Sequence, residues 1–247
     1  MKSKEMKKQY FLYILLALLP VLSSCHFWMD TVTGNGHVTT EKRSVAGFTK
    51  LSFEGPFEVE VIPGEDFAVS IEAEENLLQY INIDKDGSRL EVKVMNGVNL
   101  RTRKDIQIRV SLPKVESIAF AGSGNVKVKG TIRDIKKLEL SVAGSGDIVA
   151  ALDCPEVEAD IAGAGSITLS GTTRKLKLDV AGAGDCKCEK LLAEEVNISI
   201  AGSGNAWVYA SIKLDVSVAG SGDIYYRGNP SIKQSIAGSG DIKKMEE

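Results

Sequence analysis

A five-residue element, Ala-Gly-(Ser or Ala)-Gly followed by Asp, Asn or Ser, constrains this chain more than anything else in it. Its Ala falls at positions 121, 143, 162, 181, 201, 219 and 237, with spacings of 22, 19, 19, 20, 18 and 18 residues. Seven copies at a nearly constant period indicate a repeat architecture, not seven independent sites. Aligning the copies on that Ala sorts the neighbouring residues into columns. One residue before it stand Phe120, Val142, Ile161, Val180, Ile200, Val218 and Ile236, and three before it stand Ile118, Leu140, Ala159, Leu178, Ile198, Val216 and Gln234. Five after it come Val126, Ile148, Ile167, Cys186, Ala206, Ile224 and Ile242, and seven after it Val128, Ala150, Leu169, Cys188, Val208, Tyr226 and Lys244. The positions between are mostly polar or small, which is the period-two pattern of strands with one face buried.

Each repeat therefore carries two short strands joined by the Gly element and followed by a variable connection such as "ALDCPE". A helix-free repeat of this length is one coil of a β-solenoid, in which each coil pairs with the next. With strands stacked about 4.8 Å apart, seven coils give a core roughly 34 Å long. An antiparallel sandwich would also alternate, but it gives no reason for identical turns to recur in step. Gly122, Gly124, Gly144, Gly146, Gly163, Gly165, Gly182, Gly184, Gly202, Gly204, Gly220, Gly222, Gly238 and Gly240 are read as structural, turn-forming residues. A bulkier side chain there would push coils apart, and positive φ is sterically cheap only for Gly. A phosphate-cradling reading needs a helix after the loop, and no copy has one.

The two ends read differently. Lys2, Lys4, Lys7 and Lys8, then an apolar run from Tyr10 to Leu22, then "LSSC" ending at Cys25, form an export signal. The run is too short to span a bilayer, and its ending resembles the lipobox, which assigns lipidation to Cys25. The expected layout is a signal peptide over 1–24, a lipid-tethered spacer over 25–37, an irregular N-terminal β portion or cap over 38–113, and the repeat β-helix over 114–247, continuous with that portion. Within the cap, "EENLLQYI" at Glu74 to Ile81 is the one candidate helix. His26 follows the cysteine, so the Asp associated with inner-membrane retention is absent and the expected location is the outer membrane, on either face. Removing residues 1–24 takes four Lys and one Glu from totals of 30 basic and 33 acidic residues, leaving 26 and 32, a net charge of −6. No basic tract survives for nucleic acid.

From Val38 to the C-terminus the chain resembles the head GIN domain family, named for the head of autotransporter adhesins. The resemblance rests on "VAGFTKLSFEGPFEVEVIPGE" (45–65), "AEENLLQYINIDKDGSRLEVKV" (73–94), "SLPKVESIAFAGSGNVKV" (111–128) and the later AGSG[DN] series. It implies an all-β, right-handed parallel β-helix of about seven coils with a less regular N-terminal β portion, and it brings no catalytic residues.

Candidate chemistry is sparse. The column closing each element is Asn125, Asp147, Ser166, Asp185, Asn205, Asp223 and Asp241. One acidic residue per coil is too few for Ca²⁺, which takes 6 to 8 oxygens, so these residues are read as turn closures and no metal or cofactor is assigned. Cys154, Cys186 and Cys188 remain after Cys25, and Cys186 and Cys188 fall in core columns, as small hydrophobes would. His26 and His37 are the only histidines, both outside the repeats, so no His-based catalytic triad is available there. The outward columns hold Trp207 and Tyr225 on adjacent coils, with Tyr209 and Arg227 beside them. Three aromatics and an Arg on one face suit sugar stacking or a protein interface. The expected function is non-catalytic adhesion or ligand binding by an envelope lipoprotein, anchored to the membrane through Cys25, with a glycan or protein as ligand. A polysaccharide lyase-like enzyme, recognisable by a long groove lined with Asp and Lys or Arg, is the alternative, as is an envelope assembly role. Polar Gln234 and Lys244 in the last coil's core columns point to a capped or partnered end and to homo-oligomerisation.

Overall fold

The computed structural model describes residues 30–246, and Thr31–Glu247 forms one compact unit. The segment read as a signal peptide, and Cys25, lie outside the described residues. Strand β12 (Lys137–Gly144) buries Leu138, Leu140 and Val142, and β13 (Asp147–Asp153) buries Ile148, Ala150 and Leu152. The next coil begins with β14 (Glu156–Gly163), which pairs in parallel with β12, Leu140 beside Ala159 and Gly144 beside Gly163. The same in-register pairing carries through β15 (Ser166–Gly182), β16 (Asp185–Gly202), β17 (Ala206–Gly220), β18 (Ile224–Arg227), β19 (Ser231–Gly238) and β20 (Ile242–Lys244). Parallel pairing at an offset of one repeat is a β-helix and rules out the antiparallel sandwich. Each inward column becomes a ladder of buried aliphatic side chains, each contributing about 1.5–3 kcal/mol by leaving water.

The corner explains the glycine pair. Gly182 has φ +125°, and a Cβ on it would lie closer than 3.0 Å to the carbonyl oxygen of Gly163 one coil below. That oxygen accepts the N–H of Ala183 at 2.8 Å, so the contact a side chain would obstruct is one that joins the coils. Gly184 has no positive φ; there a Cβ would strike the Gly165 carbonyl and the Ile161 side chain. The first Gly is thus required by conformation and contact together, the second by contact alone.

The N-terminal portion is less irregular than its sequence. Strands β3 (Lys50–Glu54) and β4 (Phe57–Pro63) pair in parallel with β10 (Ser117–Gly122) and β11 (Asn125–Ile132), Phe53 beside Phe120 and Val59 beside Val126. Gly55, φ +149°, stands at the corner between β3 and β4, so "FEGPF" is a further coil written in other letters. Strands β7 (Arg89–Val94) and β9 (Ile106–Leu112) form one more parallel layer on the far side of β3 and β4. The chain therefore crosses its own second layer between β9 and β10. Glu116 pins that crossing: its N–H donates to the Thr49 carbonyl at 2.8 Å and its carboxylate accepts the Thr49 hydroxyl at 2.7 Å. Antiparallel strands then close the end, β6 (Ile81–Asp86) on β7, β5 (Ala68–Glu74) on β9 and β2 (Val38–Arg43) on β5. The short helix expected here is a 3₁₀ turn, Glu75–Tyr80, that buries Leu77 and Leu78.

One expectation needs correcting. Of the segment read as a spacer, the part from Asp30 onward is folded into the body: β1 (Asp30–Thr33) pairs with β8 (Val98–Arg101), and the His37 carbonyl accepts the Glu75 N–H at 2.8 Å. The fully buried Glu74 carboxylate accepts the N–H of Gly36 at 2.6 Å and of Arg103 at 2.9 Å. Those donors, Arg103 foremost, hold its carboxyl below the usual carboxylate range.

Cys154, Cys186 and Cys188 are buried and free. Burial pushes the Cys154 thiol up to about 11 and Cys186 to about 12, and raises Cys188 well above its usual value. These thiols are expected to resist a water-soluble thiol reagent in the native protein and to react fully in denaturant; labelling of any of the three under native conditions would contradict their place in the core. Gly182→Ala should lower stability by about 3 kcal/mol or more, because backbone must move. Gly97→Ala, at φ +80° with open space around the new Cβ, should cost only about 1–2 kcal/mol. Urea unfolding midpoints measure both, and equal losses would mean that the corner contact carries no special weight.

Candidate functional site

The register sets Lys187, Trp207, Tyr225 and Lys243 in one outward row on four successive coils. Trp207 and Tyr225 stack with ring centroids 5.3 Å apart and planes 7° apart, and the Lys243 ammonium lies 5.7 Å from the Tyr225 centroid. This geometry follows from the coil spacing, since planar side chains in adjacent strands about 4.8 Å apart meet face to face. Asp223 holds the row: its carboxylate accepts the Asp241 N–H at 2.9 Å, the Lys243 ammonium at 3.0 Å and the Tyr225 hydroxyl at 3.1 Å. The Asp241 N–H, then Lys243, keep this carboxyl below its ordinary range.

Tyr209 pairs with Arg227 on one side and Leu192 on the other. Tyr209 is half-buried, Arg227 exposed, and Leu192 52% exposed. The structure thus brings the four sequence-selected residues onto adjacent coils and adds Leu192, which a register shift between Cys188 and Leu192 moves into the patch. Part of the ring surface is already taken within the patch. Trp207 and Tyr225 each spend a face on the other, and Lys243 lies over the second face of Tyr225. What the patch presents is ring edges, an apolar rim and the Arg227 guanidinium.

The column at the end of each corner also acts otherwise than expected. Instead of closing its own turn, the side chain reaches to the next coil. Asp147 accepts the Ser166 N–H at 2.9 Å and its hydroxyl at 2.7 Å, Asp185 the Asn205 N–H at 3.1 Å, Asn205 the Asp223 N–H at 3.0 Å, and Asp223 that of Asp241. The ladder joins coils.

A second cluster, missed in the sequence, lies on the other face. Carboxylate oxygens of Glu158, Asp160 and Asp179 lie within 4.8 Å of one another. Glu158 takes Lys137 and Lys177, both at 2.6 Å, and Lys177 also pairs with Asp179 at 2.8 Å. Those two lysines hold the Glu158 carboxyl at about 2. Burial, then the neighbouring carboxylates, raise that of Asp160. The cluster borders an open groove of about 420 Å³ crossing several coils, lined by Lys137, Glu158, Lys175, Lys177, Lys213 and Asp215 among others. This is the charged groove that a lyase would need, yet the ion pairs raise the lysine pKa values at Lys137, Lys177 and Lys213. A lysine serving as general base needs the opposite shift, toward neutrality. Because the folded-state pKa of Glu158 is depressed from 4.5 to about 2, its stabilisation is complete above about pH 4.5 and lost as pH falls toward 2. Glu158→Gln should remove that component, about 1 kcal/mol or less after screening. Unfolding midpoints from pH 6 to 2 test this, and parallel curves for the two proteins would deny the coupling.

A continuous stack of in-register coils with glycine corners and a capped N-terminal end defines the class, a parallel β-helix. Within it, a family model described as "Putative auto-transporter adhesin, head GIN domain" matches residues 47–230, and the chain belongs to that family. Among solved structures, it is similar to a putative adhesin from Bacteroides fragilis (TM-score 0.80, 23% identity, covering 87% of this chain and all of that one). It is also similar to a putative adhesin from Parabacteroides merdae (TM-score 0.69, 22% identity, 88% of this chain and all of that one). A third, from Parabacteroides distasonis, is named a putative lipid binding protein (TM-score 0.71, 24% identity, 88% and 100% covered). At these identities the likeness shows the fold. No curated protein matches the chain at a significant level.

Proposed function

We propose that this chain is a non-catalytic cell-envelope lipoprotein of the outer membrane, tethered through lipidated Cys25, that presents its β-helix for adhesion to a glycan or protein ligand. The Trp207–Tyr225 column, flanked by Tyr209, Leu192 and Arg227 on the outward face, carries this reading. Large amphipathic side chains held rigid by stacking lose little entropy when a partner covers them, which is how interface anchors act. The adhesin names of the family and of its structural neighbours support the same reading, and the direction of the lysine shifts in the charged groove supports a non-enzymatic one. Among the described residues the inward columns are filled by side chains at or near zero exposure, which leaves them no interior space for the kind of ligand that the name of one neighbour, a putative lipid binding protein, suggests.

The test uses the full chain in detergent on a glycan array and on cell surfaces. Trp207→Ala with Tyr225→Ala should weaken binding by about tenfold or more, as loss of an aromatic hot spot does. Undiminished binding by a variant with an unchanged unfolding midpoint would remove the patch from the proposal, and cleavage of any polysaccharide by the purified protein would overturn the non-catalytic reading.

A further inference from the structure

The two ends of the stack are unlike. Antiparallel β2, β5 and β6 cover the N-terminal layer, whereas among the described residues β19 pairs only with β17 and β20 only with β18. Core positions that are sealed one coil earlier open here: Leu214 is 0% exposed, but its successor Ile232 is 39% exposed, Ile236 and Ile242 are only partly buried, and Gln234 is exposed. The hydrogen-bonding ladder also stops at this edge. Asp223 accepts the N–H of Asp241, while the Asp241 carboxylate, 67% exposed, has only the ion pair to its own Lys243 at 3.4 Å. Both strands lie beyond residue 230, outside the part that the family model matches.

We propose that the edge formed by β19 and β20 is a self-association surface, on which a second copy of this chain docks tip to tip about a two-fold axis, its β19 and β20 antiparallel to these. Unpaired parallel strands with apolar residues behind them are a template for pairing. The chain's other end is closed, so a head-to-tail stack has nowhere to seat, and the complement the chain itself offers is a second open end. That contact is isologous and stops at two copies. Charge supports the same geometry. Asp241 and Lys243 both point outward on either side of Ile242, so antiparallel pairing about Ile242 sets each Asp241 opposite the Lys243 of the second copy, filling the last acceptor of the ladder twice. It also brings Ile236 and Ile242 of the two copies together over the exposed core. The end of a single coil buries roughly 500 Å² per copy, near the lower limit for a specific interface, so the dimer is a weak one.

Sedimentation equilibrium of the full chain in density-matched detergent reads the outcome directly, and it is independent of Trp207 and of any ligand. The mass should double with rising concentration up to about 200 µM. Asp241→Lys, which sets like charges opposite each other, should weaken association by about tenfold or more, and adding Lys243→Asp should restore it to within about threefold. Lys243→Gln, which places no new anion beside Asp223, should weaken it by about fivefold and serves if the charge reversals perturb folding, as judged by their unfolding midpoints. A monomeric mass at every concentration would overturn the proposal. So would wild-type association by a folded Asp241→Lys protein, or a folded double variant no tighter than the single.

Discussion

Everything in this molecule depends on how closely one coil can approach the next. Coils meet at the corner, where the carbonyl of one glycine accepts an N–H from the coil above and the next glycine in the column leaves that oxygen uncovered. A single Cβ at that point would hold two coils apart, and the whole ladder of backbone bonds on both sides would stretch with it. The constraint is backbone against backbone, so no choice of rotamer relieves it. This is why the element tolerates Ser or Ala between the glycines but keeps the glycines themselves in all seven copies, and why Gly55 reappears at a corner that shares no other letter with the five-residue element.

Once the corner fixes the spacing, each column must solve the problem of like residues lying one coil apart. Aliphatic columns solve it by packing. At the corner column a plain row of carboxylates would repel, and the chain instead turns the side-chain oxygens of Asp147, Asp185, Asn205 and Asp223 toward amides of the next coil, with Asn and Ser interspersed among Asp. On the opposite face, rows of Lys and Glu are offset so that Glu158 lies between Lys137 one coil back and Lys177 one coil on. Such exposed pairs contribute little each, but together they make a charged face compatible with close stacking. In the Trp207 row the same spacing turns two aromatics into a stack. The features that look like binding or catalytic groups are in large part devices for satisfying neighbours along the axis.

That distinction explains what the sequence did and did not disclose. The period, the inward columns, the buried cysteines and the adjacency of Trp207 with Tyr225 were all legible, because they follow from counting along a regular repeat. The coil at Gly55 was hidden by "FEGPF", in which Pro56 stands where the repeat has Ser or Ala and Phe57 where it has its second glycine. The crossing between β9 and β10 was hidden because sequence order and spatial order diverge there, and no local pattern records it. Asp30 to His37 looked like a spacer since its anchoring partners, Glu74, Asn76 and Arg101, come from distant segments. The facing rings and the Glu158 cluster were missed for a different reason. Both could have been found by reading down a column instead of along a strand, with the coil spacing as the distance between entries in that column.

A solenoid that resolves its contacts along the axis has a further property, that its unresolved contacts gather at its ends. The N-terminal end spends three antiparallel strands and a 3₁₀ turn on this, burying Leu77, Leu78 and Ile81 behind the last layer. The C-terminal coil keeps the sequence of the repeat while losing its environment: the columns still run Ile232, Gln234, Ile236 and Ile242, with nothing among the described residues on the far side. The aromatic row ends on that same coil, where Lys243 lies over Tyr225 and pairs with Asp223 and Asp241. The lateral patch and the tip therefore share Lys243 and the Asp pair that holds it.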